Sequence, residues 1–222
     1  MIELKNITKI YDLGTVKVNA LDDISLSCQK GEFISIMGHS GSGKSTMMNI
    51  LGCLDKPTSG SYHIDGQDVA SMSDDALAVM RNRKLGFVFQ SYNLLPKLTA
   101  TANVELPLIY AGNKNRHQRA LDALESVDIA DRASHHPSEM SGGEQQRVAV
   151  ARALINNPLV ILADEPTGNL DTATSHNIMM LLTEQCQKGI TVIVVTHEED
   201  IAKYTQRTIY LRDGKIIEEK RR

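Results

Sequence analysis

Nine residues decide the fold class of this 222-residue chain: Gly38-His39-Ser40-Gly41-Ser42-Gly43-Lys44-Ser45-Thr46. They fit the pattern GxxxxGK[ST], in which glycines let the backbone curl until successive N–H groups point at phosphate oxygens. The preceding Glu32–Met37 reads as a buried strand, and a helix is expected through Met47–Leu51. A strand, a phosphate-binding loop and a helix in this order predict an α/β protein that binds a nucleotide at the loop.

The polar residues of the loop have expected roles. Lys44 should reach the β- and γ-phosphates, and Ser45 should ligate Mg²⁺. The helix that follows should add its positive N-terminal end to the phosphate site. The alternative, a glycine-rich turn without a ligand, is disfavoured because the pattern falls between a strand and a helix.

Two unbroken apolar runs, Leu159–Ala163 and Thr191–Val195, are typical of central parallel strands covered on both faces. Ligands of such sheets bind beyond the carboxyl ends of the strands, where Asp164, Glu165 and His197 follow. Asp164 is suited to hold Mg²⁺ through water, and Glu165 to orient the water that attacks a γ-phosphate. Taken alone, the acidic pair could also be a surface strand end and the histidine a core residue.

A second glycine-containing motif, Ser141-Gly142-Gly143-Glu144, precedes an expected helix over Gln145–Asn156. Ser-x-x-Glu is a capping box and would start that helix whatever its function. The two glycines weaken a helix, but they allow a phosphate to come close to its exposed N–H groups. The motif therefore has a structural interpretation and a phosphate-binding one.

The rest of the chain outlines one domain. Short β-like stretches at Ile2–Ile7 and Leu21–Cys28 predict a small antiparallel sheet, and Ser73 followed by two aspartates predicts a helix start. Residues from about 91 to 156 lack β runs and predict a helical insertion. We expect Glu218–Arg222 to be a solvated tail.

Composition excludes several classes of protein. The net charge of −3 gives no basic excess for nucleic-acid binding, so neither DNA nor RNA is expected as a partner. The longest apolar runs fall far below the roughly 20 residues that a membrane-spanning helix needs, and no export signal is expected. The three cysteines, Cys28, Cys53 and Cys186, are scattered and are expected to be reduced and packed.

The motifs together resemble those of the ABC ATPases. Met140–Arg147 looks like the signature motif of that family, and it lies between the phosphate loop and the acidic strand end at Asp164 and Glu165. Tyr11, Gln90, Asn169–Asp171 and His197 are similar to further family positions and extend the resemblance over nearly the whole chain. Two residues depart from the usual pattern: His39 replaces a proline, and Met140 replaces a leucine.

The resemblance implies an α/β P-loop NTPase with a RecA-like core, an N-terminal antiparallel β subdomain and an inserted α-helical subdomain. The whole chain 1–222 would be one ATPase domain. Residues of about 1–90 and 157–222 would form the β subdomain and core, and about 91–156 the helical subdomain.

The resemblance also implies the site. Two subunits would pack head to tail, with each MgATP between the phosphate loop of one and the signature motif of the other. Catalytic roles would fall to Lys44, Gln90, Glu165 and His197, and Tyr11 would stack on adenine. Mg²⁺ would be held by Ser45, Gln90 and, through water, Asp164. The residues expected to act in trans are Ser141, Gly142, Gly143, Glu144 and Asp171.

The stretch Gly86–Pro96 resembles the macrolide-exporter and lipoprotein-releasing branch of the family. This implies an ATPase subunit at the cytoplasmic face of the membrane, bound to a separate integral-membrane permease that can itself work with a periplasmic adaptor. Tyr92, Leu94 and Leu95 would form a docking surface for the permease or merely pack locally. An alternative function is an ATP-dependent regulator of a cell-envelope complex that transports nothing. A P-loop kinase would leave the signature motif and His197 unexplained.

Overall fold

The computed structural model describes all 222 residues and contains two β-sheets and seven α-helices. The strands are β1 (Ile2–Asp12), β2 (Lys17–Cys28), β3 (Phe33–Met37), β4 (Ser59–Ile64), β5 (Gln67–Asp68), β6 (Leu85–Phe89), β7 (Val160–Asp164), β8 (Thr191–Thr196), β9 (Arg207–Arg212) and β10 (Lys215–Arg221). The helices are α1 (Lys44–Leu51), α2 (Asp74–Lys84), α3 (Ala100–Tyr110), α4 (Arg116–Glu125), α5 (Gly142–Leu154), α6 (Thr172–Gln187) and α7 (Glu199–Ala202).

The N-terminal sheet is antiparallel, with the strand order β2-β1-β4-β5. The predicted antiparallel sheet is therefore confirmed, but its first two strands are longer than predicted. β1 continues past Ile7 to Asp12, and β2 begins at Lys17 rather than Leu21. Register shifts between these strands break the alternation of buried and exposed residues after Leu4. The sequence pattern of a strand therefore ends near Leu4, although β1 stays paired with β2 as far as Asp12.

The central sheet has the order β10-β9-β3-β8-β7-β6, in which all neighbours are parallel except β10 and β9. Successive residues of β7 enter two different cores. Val160 and Leu162 face the core shared with α1, α2 and the N-terminal sheet, whereas Ile161 and Ala163 face the core shared with α3 to α6. Burial on both faces explains the unbroken apolar runs of the central strands.

Helices α3, α4 and α5 lie between β6 and β7 in sequence, within the segment predicted to be helical. Two short 3-10 turns, Ala130–Arg132 and Pro137–Glu139, connect α4 to α5. Ser73 caps α2 as predicted, because its hydroxyl accepts the N–H of Ala76 at 3.3 Å. No helix of the chain combines the length and the apolarity that crossing a membrane requires.

The C-terminal residues Glu218–Arg222 are exposed, as predicted, but Glu218–Arg221 belong to a strand and not to a tail. Residues Lys215–Arg221 form β10, which pairs with β9 across a turn at Asp213 and Gly214. Both turn residues have positive φ, 49° and 75°, as a tight hairpin turn with the sequence Asp-Gly requires. Glu219 of β10 accepts a hydrogen bond from Arg207 at 2.7 Å. The charged residues Glu218–Arg222 suggested a tail, and the hairpin signal Asp213-Gly214 was therefore overlooked.

All three cysteines are free and buried. Burial raises the pKa of the Cys28 thiol to about 12 and that of Cys53 to about 11. Both thiols are therefore protonated and unreactive at neutral pH, in agreement with their interpretation as packed core residues.

Candidate functional site

The glycine-rich loop joins β3 to α1, and several of its positions exclude side chains. Gly41 and Gly43 have φ of 79° and 104°, the left-handed region that favours glycine. A Cβ at Gly43 would lie 2.7 Å from the carbonyl oxygen of Ala20, and one at Gly38 would lie 2.3 Å from that of Leu211. The glycines therefore fix the tight course of the loop between β2 and β9.

The loop leaves hydrogen-bond donors free for an anion. Helix α1 begins without a side-chain cap, and the first N–H groups of such a helix lack acceptors within it. Lys44 Nζ donates to the carbonyl oxygens of Gly38 and His39 at 2.7 and 2.9 Å and so lies across the loop. Backbone N–H groups with no acceptor in the chain belong to Gly41, Gly43, Lys44, Ser45 and Thr46. These donors fit the oxygens of a polyphosphate.

A cleft of about 640 Å³ brings the loop and the strand ends together. Its lining residues are Val18, Asn19, Ala20, His39, Ser40, Gly41, Gly43, Lys44, Ser45, Thr46, Asp164, Glu165, Val195 and His197. Of the residues predicted in the loop, Gly38 and Ser42 do not line the cleft, and the hydroxyl of Ser42 is buried without a hydrogen-bond partner. The predicted juxtaposition of the loop with Asp164, Glu165 and His197 is thus present.

The acidic pair at the end of β7 has a distinctive geometry. Glu165 has a φ of 44°, in the left-handed region that non-glycine residues rarely adopt. Its Oε1 lies 2.9 Å from Nδ1 of His197, the residue that follows β8. Burial, together with the neighbouring Glu165 carboxylate, raises the pKa of Asp164, and Lys44 opposes that rise. A cation bound at this point would stabilise the ionised form of Asp164.

The donor set of the cleft fits Mg²⁺ bound together with a nucleotide. The chain has no cluster of three His, Cys, Asp or Glu side chains arranged to hold a metal ion. Ser45 and Asp164 line the same cleft and offer a hydroxyl and a carboxylate. Mg²⁺ usually takes one or two protein oxygens and completes its octahedron with phosphate oxygens and water, so two oxygen donors are sufficient.

The signature motif forms a complete capping box at the start of α5. Ser141 Oγ accepts the N–H of Glu144 at 3.3 Å, and Glu144 Oε2 accepts the N–H of Ser141 at 2.7 Å. Arg132 donates to the other carboxylate oxygen of Glu144 at 2.8 Å. This charged hydrogen bond, with the capping contacts to Ser141, lowers the pKa of Glu144 to about 2. The capping interpretation of the motif is therefore correct.

The two signature glycines also have a packing role that the sequence did not reveal. A Cβ at Gly142 would lie 2.6 Å from the hydroxyl oxygen of Tyr92, and one at Gly143 would lie 2.5 Å from Cγ2 of Thr174. The N-terminus of α5 thus packs tightly against the N-terminus of α6 and the loop after β6. Close packing within the chain is by itself a sufficient reason for glycine at both positions.

The residues predicted to act in trans do not line the cleft of their own chain. They are Ser141, Gly142, Gly143, Glu144 and Asp171. Asp171 caps α6, because its carboxylate accepts hydrogen bonds from the backbone N–H and the hydroxyl of Thr174 at 3.0 and 2.6 Å. These contacts, the hydroxyl one above all, lower the pKa of Asp171.

Gln90 and Tyr11 also lie outside the cleft lining. The side-chain nitrogen of Gln90 is 3.4 Å from Oδ1 of Asn169, so Gln90 is paired with the loop before α6. The Tyr11 hydroxyl donates to Asp55 at 2.9 Å, and the Lys9 ammonium lies 4.9 Å from the ring centroid. The predicted roles of both residues toward Mg²⁺ and adenine remain predictions.

Sequence reasoning missed the part of the cleft that β2 supplies. Val18, Asn19 and Ala20 line it, and Val18 pairs with Tyr11 across the sheet. Val18 is 43% exposed, although it lies on a strand where an apolar side chain is normally buried. The sequence offered no signal for this, because only the pairing of β1 with β2 brings Val18 beside Tyr11.

Comparisons with known proteins agree with this geometry. The sequence model of the ABC transporter family matches residues 21–168. The chain is 54% identical over 219 residues to the uncharacterised ABC transporter ATP-binding protein YknY of Bacillus subtilis, covering 98% of this chain and 95% of that protein. It is 52% identical to the macrolide export ATP-binding/permease protein MacB of Chlorobaculum tepidum, but it spans only 34% of that longer protein.

Solved structures extend the likeness to the fold. The ATP-binding cassette MJ0796, a protein of Methanocaldococcus jannaschii, has been solved as a dimer in a post-hydrolysis state with ADP and Pi. It superposes on this chain with a TM-score of 0.92 at 49% identity, covering 100% of this chain and 98% of its own. A second dimeric structure of MJ0796 gives a TM-score of 0.91 at 50% identity. The chain belongs to the ABC transporter family and is one of its ATP-hydrolysing, ATP-binding subunits.

Proposed function

We propose that two copies of this chain pair head to tail around two MgATP molecules. Each nucleotide would be bound by the phosphate loop of one copy and by Ser141 and Gly143 of the other. The observation that carries the proposal is the separation of these groups: the cleft contains Lys44 and the free N–H groups, but none of the signature residues. A second copy is therefore needed to complete the site.

Within the cleft, different groups of the chain have different roles in ATP hydrolysis. The loop N–H groups and Lys44 bind the phosphates and offset their charge. Glu165 orients the attacking water and accepts its proton, and His197 keeps the carboxylate in place through the contact of 2.9 Å. Mg²⁺, when bound by Ser45 and Asp164, would neutralise charge that develops on the phosphate oxygens.

Substitution of Glu165 tests the assignment. Glu165→Gln keeps the size and the hydrogen-bonding capacity of the side chain but removes the proton acceptor. We expect ATP binding to persist and turnover to fall by at least about 100-fold, the usual contribution of a general base. The variant should accumulate as an ATP-bound dimer. Glu199→Gln, an exposed change on α7 outside the cleft, is the control. Normal hydrolysis by Glu165→Gln would sink the proposal.

We further propose that a separate membrane permease docks in a second groove of the chain. This groove, of about 710 Å³, lies between α2, β6, α3 and α5. Its lining includes Leu54, Val79 and Tyr110, whose side chains are 51%, 53% and 81% exposed. Exposed apolar groups gathered in one groove are a feature of protein-binding surfaces. In the relative MacB, the name describes ATP-binding and permease parts in one protein.

The permease proposal modifies the predicted docking surface. Leu94 packs against the helical core, and Tyr92 contacts the signature helix at Gly142. Leu95 remains 48% exposed, and the neighbouring Asn93 lines the groove. Arg152 fixes this loop by donating to the carbonyl oxygens of Tyr92 and Asn93. Docking would place the chain peripherally at the cytoplasmic face of the membrane, with any periplasmic adaptor bound to the permease.

A further inference from the structure

The turn after β7 holds Glu165 in a conformation that is unfavourable for two separate reasons. Its φ of 44° lies in the left-handed region, where the Cβ of a non-glycine residue crowds the backbone. The following residue is Pro166, and a residue before proline is restricted to extended conformations by the proline ring. Such a conformation persists only where surrounding contacts impose it.

Three hydrogen bonds hold this turn. The N–H of Glu165 donates to the carbonyl oxygen of Val195 at 2.8 Å, and the N–H of Gly168 donates to that of Glu165 at 3.1 Å. The third bond is the shortest, and of the three bonds to the backbone of the turn it alone comes from a side chain: Gln146 Nε2 donates to the carbonyl oxygen of Pro166 at 2.6 Å. Gln146 belongs to α5 and is fully buried.

Only the N–H side of the Gln146 amide makes a hydrogen bond. Its Oε1 is buried without any hydrogen-bond partner, which is unfavourable, and an apolar side chain of the same length would avoid that cost. An apolar side chain would, however, leave the Pro166 carbonyl without its donor. The side chain is therefore used at this point of the core to fix the turn.

We propose that Gln146 is a positioning residue that holds the Glu165 carboxylate in its hydrolytic orientation. The inference rests on the proposed role of Glu165. Gln146 lies on the helix that Ser141 caps, so a single rigid element, α5, contacts the nucleotide of the partner's cleft and braces the glutamate of its own cleft. Binding at one site of the dimer is thereby linked mechanically to the geometry of the other.

Gln146→Met tests this proposal, because methionine has a similar length and lacks the N–H donor. We expect kcat to fall roughly tenfold to a hundredfold, the size of loss that displacement of a catalytic group by about 1 Å produces. The KM for ATP should change little, because the hydrogen bond of Gln146 goes to Pro166 and not to the phosphate loop. In the Glu165→Gln background, Gln146→Met should leave the ATP-dependent dimer intact and the residual rate unchanged.

Gln118→Met is the control. Gln118 lies on α4, outside the signature motif, is exposed, and its amide donates to Asp122 rather than to the turn. Its substitution should preserve kcat. The proposal would be overturned if Gln146→Met lowered the melting temperature but left kcat unchanged. It would also be overturned if Gln146→Met abolished dimerisation, or if its effect on the rate were additive with that of Glu165→Gln. If the wild-type protein did not dimerise with ATP, that result would contradict the proposed function and not the role of Gln146.

Discussion

At the scale of single residues, Glu144 combines two stabilising contacts. One carboxylate oxygen accepts the N–H of Ser141 and completes the capping box, and the other accepts the charged hydrogen bond from Arg132. Both contacts favour the ionised carboxylate, and they lower its pKa from the ordinary 4.5 to about 2. A carboxylate with a lowered pKa stabilises the folded chain fully above its unfolded-state pKa, and this stabilisation is lost as the pH falls through the folded-state value.

Glu144→Gln should therefore destabilise the protein in a pH-dependent manner. Glutamine can keep the capping hydrogen bond but cannot pair with the charge of Arg132. The melting temperature of wild type should exceed that of the variant above pH 4.5, and the difference should shrink between pH 4.5 and about 2. Thermal unfolding across this range measures it. A difference that is constant with pH would show that the ion pair contributes nothing.

Individual site residues differed in how well the sequence predicted them. The surroundings of Lys44, Asp164 and Glu165 were predictable because each is adjacent to an unmistakable strand or loop. Tyr11 and Gln90 were not, because their partners Asp55 and Asn169 are brought to them by tertiary packing. The same holds for Gln146, whose only signal in the sequence was a polar residue within the apolar stripe of a helix.

At the scale of elements, the N-termini of α5 and α6 form one packed unit. Gly143 at the start of α5 lies against Thr174 of α6, and Thr174 donates its hydroxyl to Asp171, the cap of α6. The two loops that are proposed to meet the partner's nucleotide are thus joined within one chain. A substitution at the N-terminus of one helix should therefore disturb the packing of the other.

A pair of substitutions tests this packing. Gly143→Ala would place a Cβ 2.5 Å from Cγ2 of Thr174 and should cost about 1–3 kcal/mol of unfolding free energy, as overpacking usually does. Thr174→Ser removes that methyl group and keeps the hydroxyl for Asp171, so the double variant should recover most of the loss. Urea unfolding of the two single variants and the double variant provides the comparison. Equal losses in Gly143→Ala with and without Thr174→Ser would contradict the account.

The same variants separate packing from nucleotide contact. If Gly143 also admits the partner's γ-phosphate, the double variant should be stable but deficient in ATP-dependent dimerisation. Recovery of both stability and dimerisation would show that the glycine serves packing alone.

Elements with an uninterrupted hydrophobic pattern were predicted well, whereas strands that are defined by hydrogen bonds to a neighbouring strand were not. The central strands β7 and β8 were found almost at their predicted bounds, and helix α2 begins after Ser73 as predicted. The full length of β1 was missed because register shifts interrupt its alternating pattern after Leu4. The strand β10 was missed because it lies at the edge of its sheet, where few apolar residues are needed once β9 supplies the hydrogen bonds. Asp213 and Gly214 were the overlooked sequence signal for β10.

At the scale of the whole molecule, the cleft and the second groove are separate surfaces with no lining residue in common. One is mostly polar and carries the nucleotide chemistry, and the other collects exposed apolar side chains. A substitution in the groove should therefore weaken membrane attachment and leave ATP hydrolysis unchanged.

The double substitution Val79→Asp with Tyr110→Asp tests that separation. Charges at the centre of a docking surface should lower the fraction of protein that sediments with membranes of its host by at least about tenfold, as loss of an interface hot spot does. The ATPase activity of the purified chain should be retained. Ile217→Asp is the control, because Ile217 is 59% exposed on β10, outside the groove. Equal sedimentation of all variants would contradict docking in this groove.

The most direct test of the shared-site account is the Mg²⁺-dependent ATPase activity of the purified chain as a function of its concentration. If each ATP needs Lys44 of one copy and Ser141 of another, specific activity should rise with protein concentration until the dimer is saturated. Glu165→Gln should then sediment as a dimer with ATP and as a monomer without it. Specific activity independent of concentration in a protein that remains monomeric would contradict the account.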